Sequence, residues 1–226
     1  MAEGFSGRLD ALARKARPWV PFTALNTVLR MVDKRSESIL DVGCGKGEPM
    51  KFINRHRKFH TMGVDIFEPY IEACKEQQIH DEYLLCNIQD LPFADKSFDI
   101  VLCMEVLEHL EKDDGEKLLK DMERIARRQV ILTTPVGFSE QDEFLLSENN
   151  PFQVHKSGWQ PTELKSLDYK IRGSTISCLA GKAGTIACPN KVTRPLGYLL
   201  WLLTSPVAYF FPKTAGDMVC VKRIGC

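Results

Sequence analysis

The sequence predicts a doubly wound α/β fold, and two observations carry this prediction. Between residues 38 and 128, short apolar runs alternate with stretches in which apolar residues recur every three or four positions, the pattern of strands separated by amphipathic helices. Runs that are apolar on both faces, such as Ile100-Val101-Leu102, are typical of interior parallel strands covered from both sides. We therefore expect a parallel sheet with helices on both faces.

The first five strands can be assigned in order along the chain, and helical stretches follow the first, second and fourth of them. The strands are 39–43, 61–65, 82–86, 98–103 and 129–134, and the helical stretches are 49–59, 68–78 and 113–128. A basic, modestly amphipathic segment and a second helical stretch precede the first strand. We therefore expect an N-terminal helical cap over 1–36 and one α/β domain over 37–226.

The composition is that of an ordinary globular protein. Of the 226 residues, 44% are hydrophobic and 27% are charged, which argues against a disordered or fibrous chain. Lys and Arg number 30, as do Asp and Glu, so no basic field indicates a nucleic-acid partner. The eight cysteines form no C-x-x-C pair, and the N-terminus lacks the apolar core of a secretory signal. We expect a reduced, cytoplasmic protein rather than a disulfide scaffold or a zinc site.

The segment 39–48, ILDVGCGKGE, carries the strongest functional signal. A strand ends near Asp41, and glycines follow at alternate positions from Gly43 onward. Glycine allows positive φ and has no side chain, so such a turn lets the backbone lie against a bound molecule. In the dinucleotide fingerprint the third glycine would stand where this chain has Glu48, and a carboxylate there disfavours a pyrophosphate. The alternative is a purely structural turn.

Asp65 ends the next predicted strand. A carboxylate at this position accepts hydrogen bonds from a ribose diol in nucleotide-binding sheets. The structural alternative is an N-cap for the helix that starts near Glu68, and the two roles are compatible.

Residues 86–110, CNIQDLPFADKSFDIVLCMEVLEHL, add a third piece. The chain resembles the class I S-adenosylmethionine-dependent methyltransferases, the broad group that includes quinone and small-molecule methyltransferases. The resemblance rests on five features in this order: D-x-G-x-G-x-G, the acidic end of the second strand, L-P-F, S-F-D and E-V-L-E-H-L. The resemblance covers about residues 36–135. It implies S-adenosylmethionine as the cofactor and a sheet ordered 3-2-1-4-5-7-6 with an antiparallel seventh strand, and it says little about the methyl acceptor.

The resemblance implies roles for five residues at the first two strand ends. Asp41 faces the ammonium of the cofactor, and the backbone of Gly43 and Gly45 holds its methionine part. Asp65 takes the ribose hydroxyls, and Ile66 packs on the adenine.

At the third and fourth strand ends, the resemblance implies contacts with the adenine and with the reacting end of the cofactor. Asn87 and the backbone of Ile88 occupy the adenine-contacting position, where many relatives carry Asp. Met104 lines the methionine end, and Glu105 begins a helix beside the reacting methyl group.

Glu105, Glu108 and His109 are spaced i, i+3 and i+4, so on a helix they share one face. Their place in the motif makes Glu105 and His109 candidate catalytic residues. Two carboxylates and an imidazole can hold a divalent cation, as the same triad does in some related methyltransferases. The favoured alternative is that they bind loop backbone and one another, so no metal is expected.

His155 lies in FQVHKSGW, where relatives often place a loop on the acceptor side of the pocket. A neutral histidine there can remove a proton from the acceptor during methyl transfer, which makes His155 the third catalytic candidate. The alternative is a capping or packing histidine beside Trp159.

The family fold would place a sixth strand near 170–174 and a seventh over 217–222, so 177–216 is an insertion. It contains the apolar run 196–211, which Pro206 interrupts and which is too short for a confident membrane span. From residue 177 onward, six basic residues stand against one acidic residue. This pattern resembles an interfacial membrane anchor, which would imply a lipophilic acceptor. The alternative is a core helix that covers the sheet edge.

The sequence thus predicts a methyltransferase for a small acceptor, lipophilic if the run 196–211 is an anchor. Two alternatives stay open. An NAD-type oxidoreductase is disfavoured by Glu48, and a non-catalytic, membrane-docked protein that keeps the fold is disfavoured by the complete set of cofactor motifs.

Overall fold

The computed structural model describes residues 17–139, 150–177 and 194–225. Its seven-stranded sheet has the order β3-β2-β1-β4-β5-β7-β6. The strands are β1 (Ser38–Val42), β2 (His60–Asp65), β3 (Glu82–Leu85), β4 (Phe98–Met104), β5 (Ala126–Pro135), β6 (Lys170–Ile176) and β7 (Ala215–Arg223). Strands β1 to β5 pair in parallel, and β7 runs antiparallel to both of its neighbours. The predicted strand order and the antiparallel seventh strand are confirmed.

Six α-helices lie within the described residues: α1 (Ala24–Met31), α2 (Glu48–Ile53), α3 (Glu68–Glu76), α4 (Lys112–Ile125), α5 (Pro161–Ser166) and α6 (Arg194–Phe210). The helical stretch predicted over 49–59 ends earlier, at Ile53. The reason is Asn54, whose amide exchanges two hydrogen bonds with the backbone of Phe59, at 2.8 and 3.0 Å. These bonds close a loop that leads directly into β2.

The helices cover both faces of the sheet, as the apolar strand patterns predict. On one face α4 buries Leu118, Leu119 and Met122 against β4 and β5. On the other face α1, α2 and α3 pack through residues such as Val28 and Met50. Neighbouring residues of a strand serve opposite faces, because side chains alternate along it. Because β1 to β5 run parallel, their carboxyl ends lie at the same end of the sheet, which is where ligands bind in folds of this class.

Helix α6, in the insertion, packs on β6, which is the edge strand of the sheet. Gly173 on β6 permits this close approach, because a Cβ at that position would lie 2.1 Å from the carbonyl oxygen of Ala208. Ser205 and Ala208 are fully buried in the contact, and the Trp201 indole donates a hydrogen bond to Thr175 Oγ1 at 3.1 Å. Pro206, which interrupts the apolar run in the sequence, does not end the helix, since α6 continues through it to Phe210.

The described part of the expected cap over 1–36 contains a short 3-10 turn, Arg17–Trp19, and α1. Residues 1–16 lie outside the described residues. Phe22 packs against α6, with its ring centroid 5.1 Å from that of Tyr209 and 6.3 Å from that of Phe210. The segment before β1 therefore contacts the insertion, and the boundary between cap and domain stays a prediction.

Candidate functional site

The glycine turn after β1 has the backbone geometry that its sequence predicts. Gly43 and Gly45 have φ of +69° and +53°, conformations that favour glycine. The backbone amides of Gly43 and Cys44 both donate to the carbonyl of Val64 on β2, at 2.8 and 2.9 Å. A Cβ on Gly43 would lie 2.4 Å from the Val106 side chain, whereas nothing lies within 4 Å of a Cβ on Gly45. The turn is thus packed behind Gly43 and open in front of Gly45.

Asp65 ties this turn to the end of β2. Its Oδ2 accepts the backbone amide of Gly45 at 2.8 Å, and its Oδ1 accepts that of Phe67 at 2.9 Å. The side chain is 8% exposed, and burial raises the pKa of the carboxyl. The predicted capping role before α3 is therefore present, and the bond to Gly45 is a contact that sequence reasoning missed.

Asp41 is buried at the end of β1, beside a residue that no motif contains. Its Oδ2 lies 3.0 Å from Nε2 of His80, which is itself buried in the loop before β3. The pairing links positions 39 residues apart, so no local sequence signal reveals it.

The predicted adenine-contacting residues lie at the neighbouring strand ends. Asn87 is exposed after β3, and its Oδ1 caps a short 3-10 helix, Ile88–Asp90, by accepting the amide of Gln89 at 3.0 Å. Ile88 is buried, while Ile66 after β2 and Met104 at the end of β4 are half-buried. The site residues predicted for the cofactor thus lie along one edge of the sheet.

The expectation that Glu105 begins a helix shared with Glu108 and His109 is wrong. Glu105 has φ of +54°, and the helix is a 3-10 turn, Leu107–His109. The amide of Glu105 donates to the carbonyl of Thr133 at 3.0 Å, which holds the left-handed conformation, uncommon for a residue with a side chain. Glu105 is exposed at the sheet edge, whereas Glu108 is 2% exposed. The two carboxylates therefore lie in different environments.

Glu108, His109 and His155 form a cluster instead. One ligand atom from each lies within 4.8 Å of the others, and the two histidine rings are 5.0 Å apart. His109 Nδ1 lies 3.3 Å from the carbonyl of Val154, and His155 Nδ1 lies 2.6 Å from that of Ser139. A carbonyl only accepts, so each Nδ1 carries a proton, and a neutral ring in this arrangement has its lone pair on Nε2. This donor set is suited to a divalent cation such as zinc or manganese.

The loop that carries His155 lies between β5 and α5, as predicted, and is fastened to the 3-10 turn. The amides of Lys156 and Ser157 both donate to the carbonyl of Glu108, at 2.8 and 3.1 Å. The packing alternative for His155 placed it beside Trp159, but the bond that the structure shows joins His155 to Ser139.

Burial sets the protonation of this cluster. Burial raises the pKa of Glu108 well above its usual range, and the nearby Glu105 carboxylate raises it further. The Thr134 hydroxyl donates to Glu108 Oε2 at 3.0 Å. Burial also lowers the pKa of His109 to about 4, so this ring is neutral at pH 7.

The edge fits the cofactor that the motifs imply. The open space in front of Gly45 would be closed by any side chain at that position. Two buried carboxylates, Asp41 and Asp65, suit an ammonium and a ribose diol. Glu48 starts α2 at an exposed position and disfavours a phosphate there, as predicted.

By sequence, the chain is similar to several methyltransferases. Residues 40–133 match the family model described as "Methyltransferase domain". The chain is 34% identical over 104 residues to an O-methyltransferase of Aspergillus nomiae, covering 43% of this chain and 45% of the relative. It is 32% identical over 101 residues to a ubiquinone biosynthesis O-methyltransferase of Coxiella burnetii, covering 43% and 42%.

Two further matches cover more of the chain. An uncharacterized protein of Methanocaldococcus jannaschii is 30% identical over 156 residues, covering 69% of this chain and 63% of that protein. The chain thus spans less than two thirds of these curated relatives. A Haloferax volcanii chain solved with the Trm112 methyltransferase activator has a TM-score of 0.59 at 16% identity, covering 98% of this chain and 94% of that one. This structural likeness shows the fold.

Proposed function

We propose that this chain, which belongs to the class I S-adenosylmethionine-dependent methyltransferases, transfers a methyl group from S-adenosylmethionine to a small, lipophilic acceptor. The observation that carries the proposal is the open glycine turn, with Gly45 held by Asp65 and the buried Asp41 at the adjacent strand end. Backbone and carboxylates at this edge have the arrangement that a ribose- and ammonium-bearing ligand needs.

In this proposal, residues at the carboxyl ends of β1 to β4 would hold successive parts of the cofactor. Asp41 takes the ammonium, and the backbone of Gly43 and Gly45 holds the methionine part. Asp65 accepts from the ribose hydroxyls with the lone pairs that its two backbone bonds leave free. Ile66 packs on the adenine.

The remaining contacts of the proposal lie at the ends of β3 and β4. Asn87 and the amide of Ile88 meet the adenine edge, and Met104 lines the methionine end. Asn87 follows β3 and Met104 ends β4, and β2 and β1 lie between these two strands, so the two residues would contact opposite ends of an elongated ligand.

The catalytic residues in this proposal are Glu105, His109 and His155. The bound cofactor supplies an electrophilic methyl group on its sulfonium. His155, with Nδ1 fixed on the Ser139 carbonyl, offers Nε2 as the base that receives the acceptor's proton. His109 is neutral at pH 7 because burial lowers its pKa to about 4, and the exposed Glu105 orients the acceptor.

Apolar side chains around these histidines favour a lipophilic acceptor. Phe138, Phe152 and Val154 are large, exposed and carried by the two segments that flank His155. Exposed apolar groups beside a polar site typically mark a binding surface. An aromatic or prenylated small molecule with one ionisable group has the matching chemistry.

Helix α6 supports a role at a membrane surface. Its outer side exposes Leu199, Leu200, Leu202, Leu203 and Val207. Phe210 is exposed at its end, and the exposed Lys213 follows. Within the described residues, no helix has both the length and the apolarity that crossing a bilayer requires. A helix with one packed and one apolar exposed side suits the interface of an anionic bilayer, from which a lipophilic acceptor would reach the site.

A second candidate is a metal-assisted version of the same reaction, favoured by the cluster of Glu108, His109 and His155. A divalent cation held by the two free Nε2 atoms and the Glu108 carboxylate would bind the acceptor's oxygen and lower the pKa of its proton. In that case His155 would be a ligand, and the acceptor's proton would pass to solvent water.

A labelled-methyl transfer screen tests the proposal. The protein is incubated with methyl-labelled S-adenosylmethionine and cell-extract fractions separated into lipid and aqueous pools. We expect label in the lipid pool; label only in the aqueous pool contradicts the lipophilic acceptor, and none in either contradicts the enzyme.

A chelation arm of the screen separates the two mechanisms. Activity that survives exhaustive chelation and is lost in His155→Ala supports the base mechanism. Activity lost on chelation and restored by Mn²⁺ or Zn²⁺ supports the metal-assisted one.

A further inference from the structure

The structure pairs Asp41 with a histidine that lies outside every motif of the sequence. His80 Nε2 and Asp41 Oδ2 are 3.0 Å apart, and the exposed fractions of the two side chains are 0% and 5%. A carboxylate that is ionised only accepts hydrogen bonds, so Nε2 carries the proton and donates. One oxygen of Asp41, Oδ2, is therefore bound to His80 on the face of the sheet that α3 covers.

The surroundings of His80 fix its ring. The His80 backbone amide donates to the Tyr83 hydroxyl at 2.9 Å, and that hydroxyl donates to the carbonyl of Cys74 at 2.9 Å. The Tyr83 ring packs edge-on against the imidazole at 5.6 Å between centroids. Beneath the ring lies Gly63 on β2, where a Cβ would be 2.9 Å from His80 Nδ1. The chain thus leaves a space of the right size for this ring.

We infer that His80 is a positioning residue for cofactor binding: its Nε2–H holds the Asp41 carboxylate in the one orientation that presents its second oxygen at the glycine turn. The inference rests on the proposed function, because it concerns the carboxylate assigned to the cofactor's ammonium. A donor on one oxygen fixes the rotation of the whole carboxylate and so fixes where the other oxygen lies. Without that donor, a buried carboxylate would lack a hydrogen-bond partner and would reorient towards water.

The charge of the pair gives the inference a second, independent signature. The titratable groups that face His80 are Asp41 on β1, Cys74 on α3, Tyr83 on β3 and, across Gly63, Cys44. Burial lowers the pKa of His80, but the hydrogen bond to Asp41 and the charges of Asp41 and Cys74 outweigh this and raise the pKa to about 9. An ammonium arriving at Asp41 repels the protonated ring and favours loss of its proton. The protonated ring therefore opposes the ammonium, and this opposition is lost as the pH rises from 7 towards 9.5.

The test measures the binding of S-adenosylhomocysteine to the full chain by calorimetry. In His80→Leu we expect at least tenfold weaker binding at pH 7.5, with the variant still folded by circular dichroism. His80→Gln places an amide N–H near the position of Nε2, so its affinity should stay within threefold of wild type. The matched control is His60→Gln, since His60 is an exposed histidine that bonds Glu82 at 2.8 Å.

The outcomes separate this inference from the proposed function. If wild type binds and His80→Leu binds within threefold of it, the inference alone is overturned. If wild type binds no S-adenosylhomocysteine, both are overturned. If His80→Leu does not fold, the comparison passes to His80→Gln, whose side-chain amide does not titrate. The ratio of wild-type to His80→Gln affinity should then rise at least threefold from pH 7 to 9.5, and identical pH profiles would overturn the inference.

Discussion

The candidate cofactor site and helix α6 differ in what their side chains bond to. At the edge formed by β1, β2 and β4, buried polar groups are bonded across the sequence, as in the pair Asp41–His80 and the bond from Gly45 to Asp65. At the β6 end, the hydroxyls of α6 bond within the helix, as Ser205 does to the Trp201 carbonyl at 2.6 Å. The outer side of α6 exposes large apolar residues, with Leu203 64% exposed.

At the cofactor site, binding and stability therefore depend on the same side chains, whereas on α6 they depend on different ones. At the cofactor edge the same carboxylates that would meet the ligand also hold the glycine turn, so a substitution there changes both. On α6 the inner side carries the packing against Gly173 and the outer side carries none of it. Substitutions on the two sides of α6 should therefore have effects of different kinds.

The largest effect is expected for Asp65→Ala. The substitution removes the ribose acceptor and leaves the amides of Gly45 and Phe67, bonded at 2.8 and 2.9 Å, without a partner. Each lost bond to a charged group costs about 1.5–3 kcal/mol, so we expect S-adenosylhomocysteine affinity to fall by roughly 10- to 100-fold. Calorimetry measures it, with the exposed Asp90→Ala as control. Unchanged affinity in a folded Asp65→Ala would exclude this residue from the site.

The second effect is on stability and should spare binding. In Gly173→Leu the new side chain would meet the backbone of Ala208, where even a Cβ lies at 2.1 Å. Overpacking of this kind costs about 1–3 kcal/mol, and α6 should move away from β6. We expect a lower denaturation midpoint with unchanged S-adenosylhomocysteine affinity. Loss of binding in a protein that remains folded would mean that α6 and the cofactor edge are coupled.

The third effect is a pH dependence of stability from the cofactor edge. The pKa of His80 is about 9 in the folded chain and about 6.5 in an unfolded one. A raised pKa stabilises the fold fully below about pH 6.5, and this contribution is lost as the pH rises through 9. We expect wild type to lose on the order of 1 kcal/mol more than His80→Gln between pH 6.5 and 9.5. Equal losses in urea titrations of the two would contradict the shifted pKa.

The α/β class and the first five strands were predictable from the sequence, because these strands and the helices between them have periodic apolar patterns. The order of the strands, the place of β6 and β7 and the antiparallel direction of β7 came from the resemblance, since no local pattern distinguishes β7 from a parallel strand. The early end of α2 was not predictable, because it depends on a bond between Asn54 and Phe59 that competes with helix continuation.

The site was predictable where it depends on local turns and was missed where it depends on distant contacts. Helical spacing grouped Glu105 with Glu108 and His109, but the left-handed conformation at Glu105 is held by Thr133 on β5. The same tertiary contacts bring His155 to the cluster through the Glu108 carbonyl. His80 belongs to no motif because its partner Asp41 is 39 residues away.

The smallest effect on stability is expected for Leu203→Glu on the outer side of α6. This variant tests whether that side binds a membrane without contributing to the fold. Leu203 is 64% exposed, so the change should alter the unfolding free energy by less than about 0.5 kcal/mol. It places a negative charge in the face proposed to meet an anionic bilayer, which adds repulsion to the loss of apolar contact. We expect wild type to co-sediment with anionic vesicles, less so at high salt, and Leu203→Glu to remain in solution. The control is Leu167→Glu, since Leu167 is a 40% exposed leucine at the end of α5. If wild type does not bind vesicles, or if Leu203→Glu and Leu167→Glu lose binding equally, a membrane role for the outer side of α6 is contradicted.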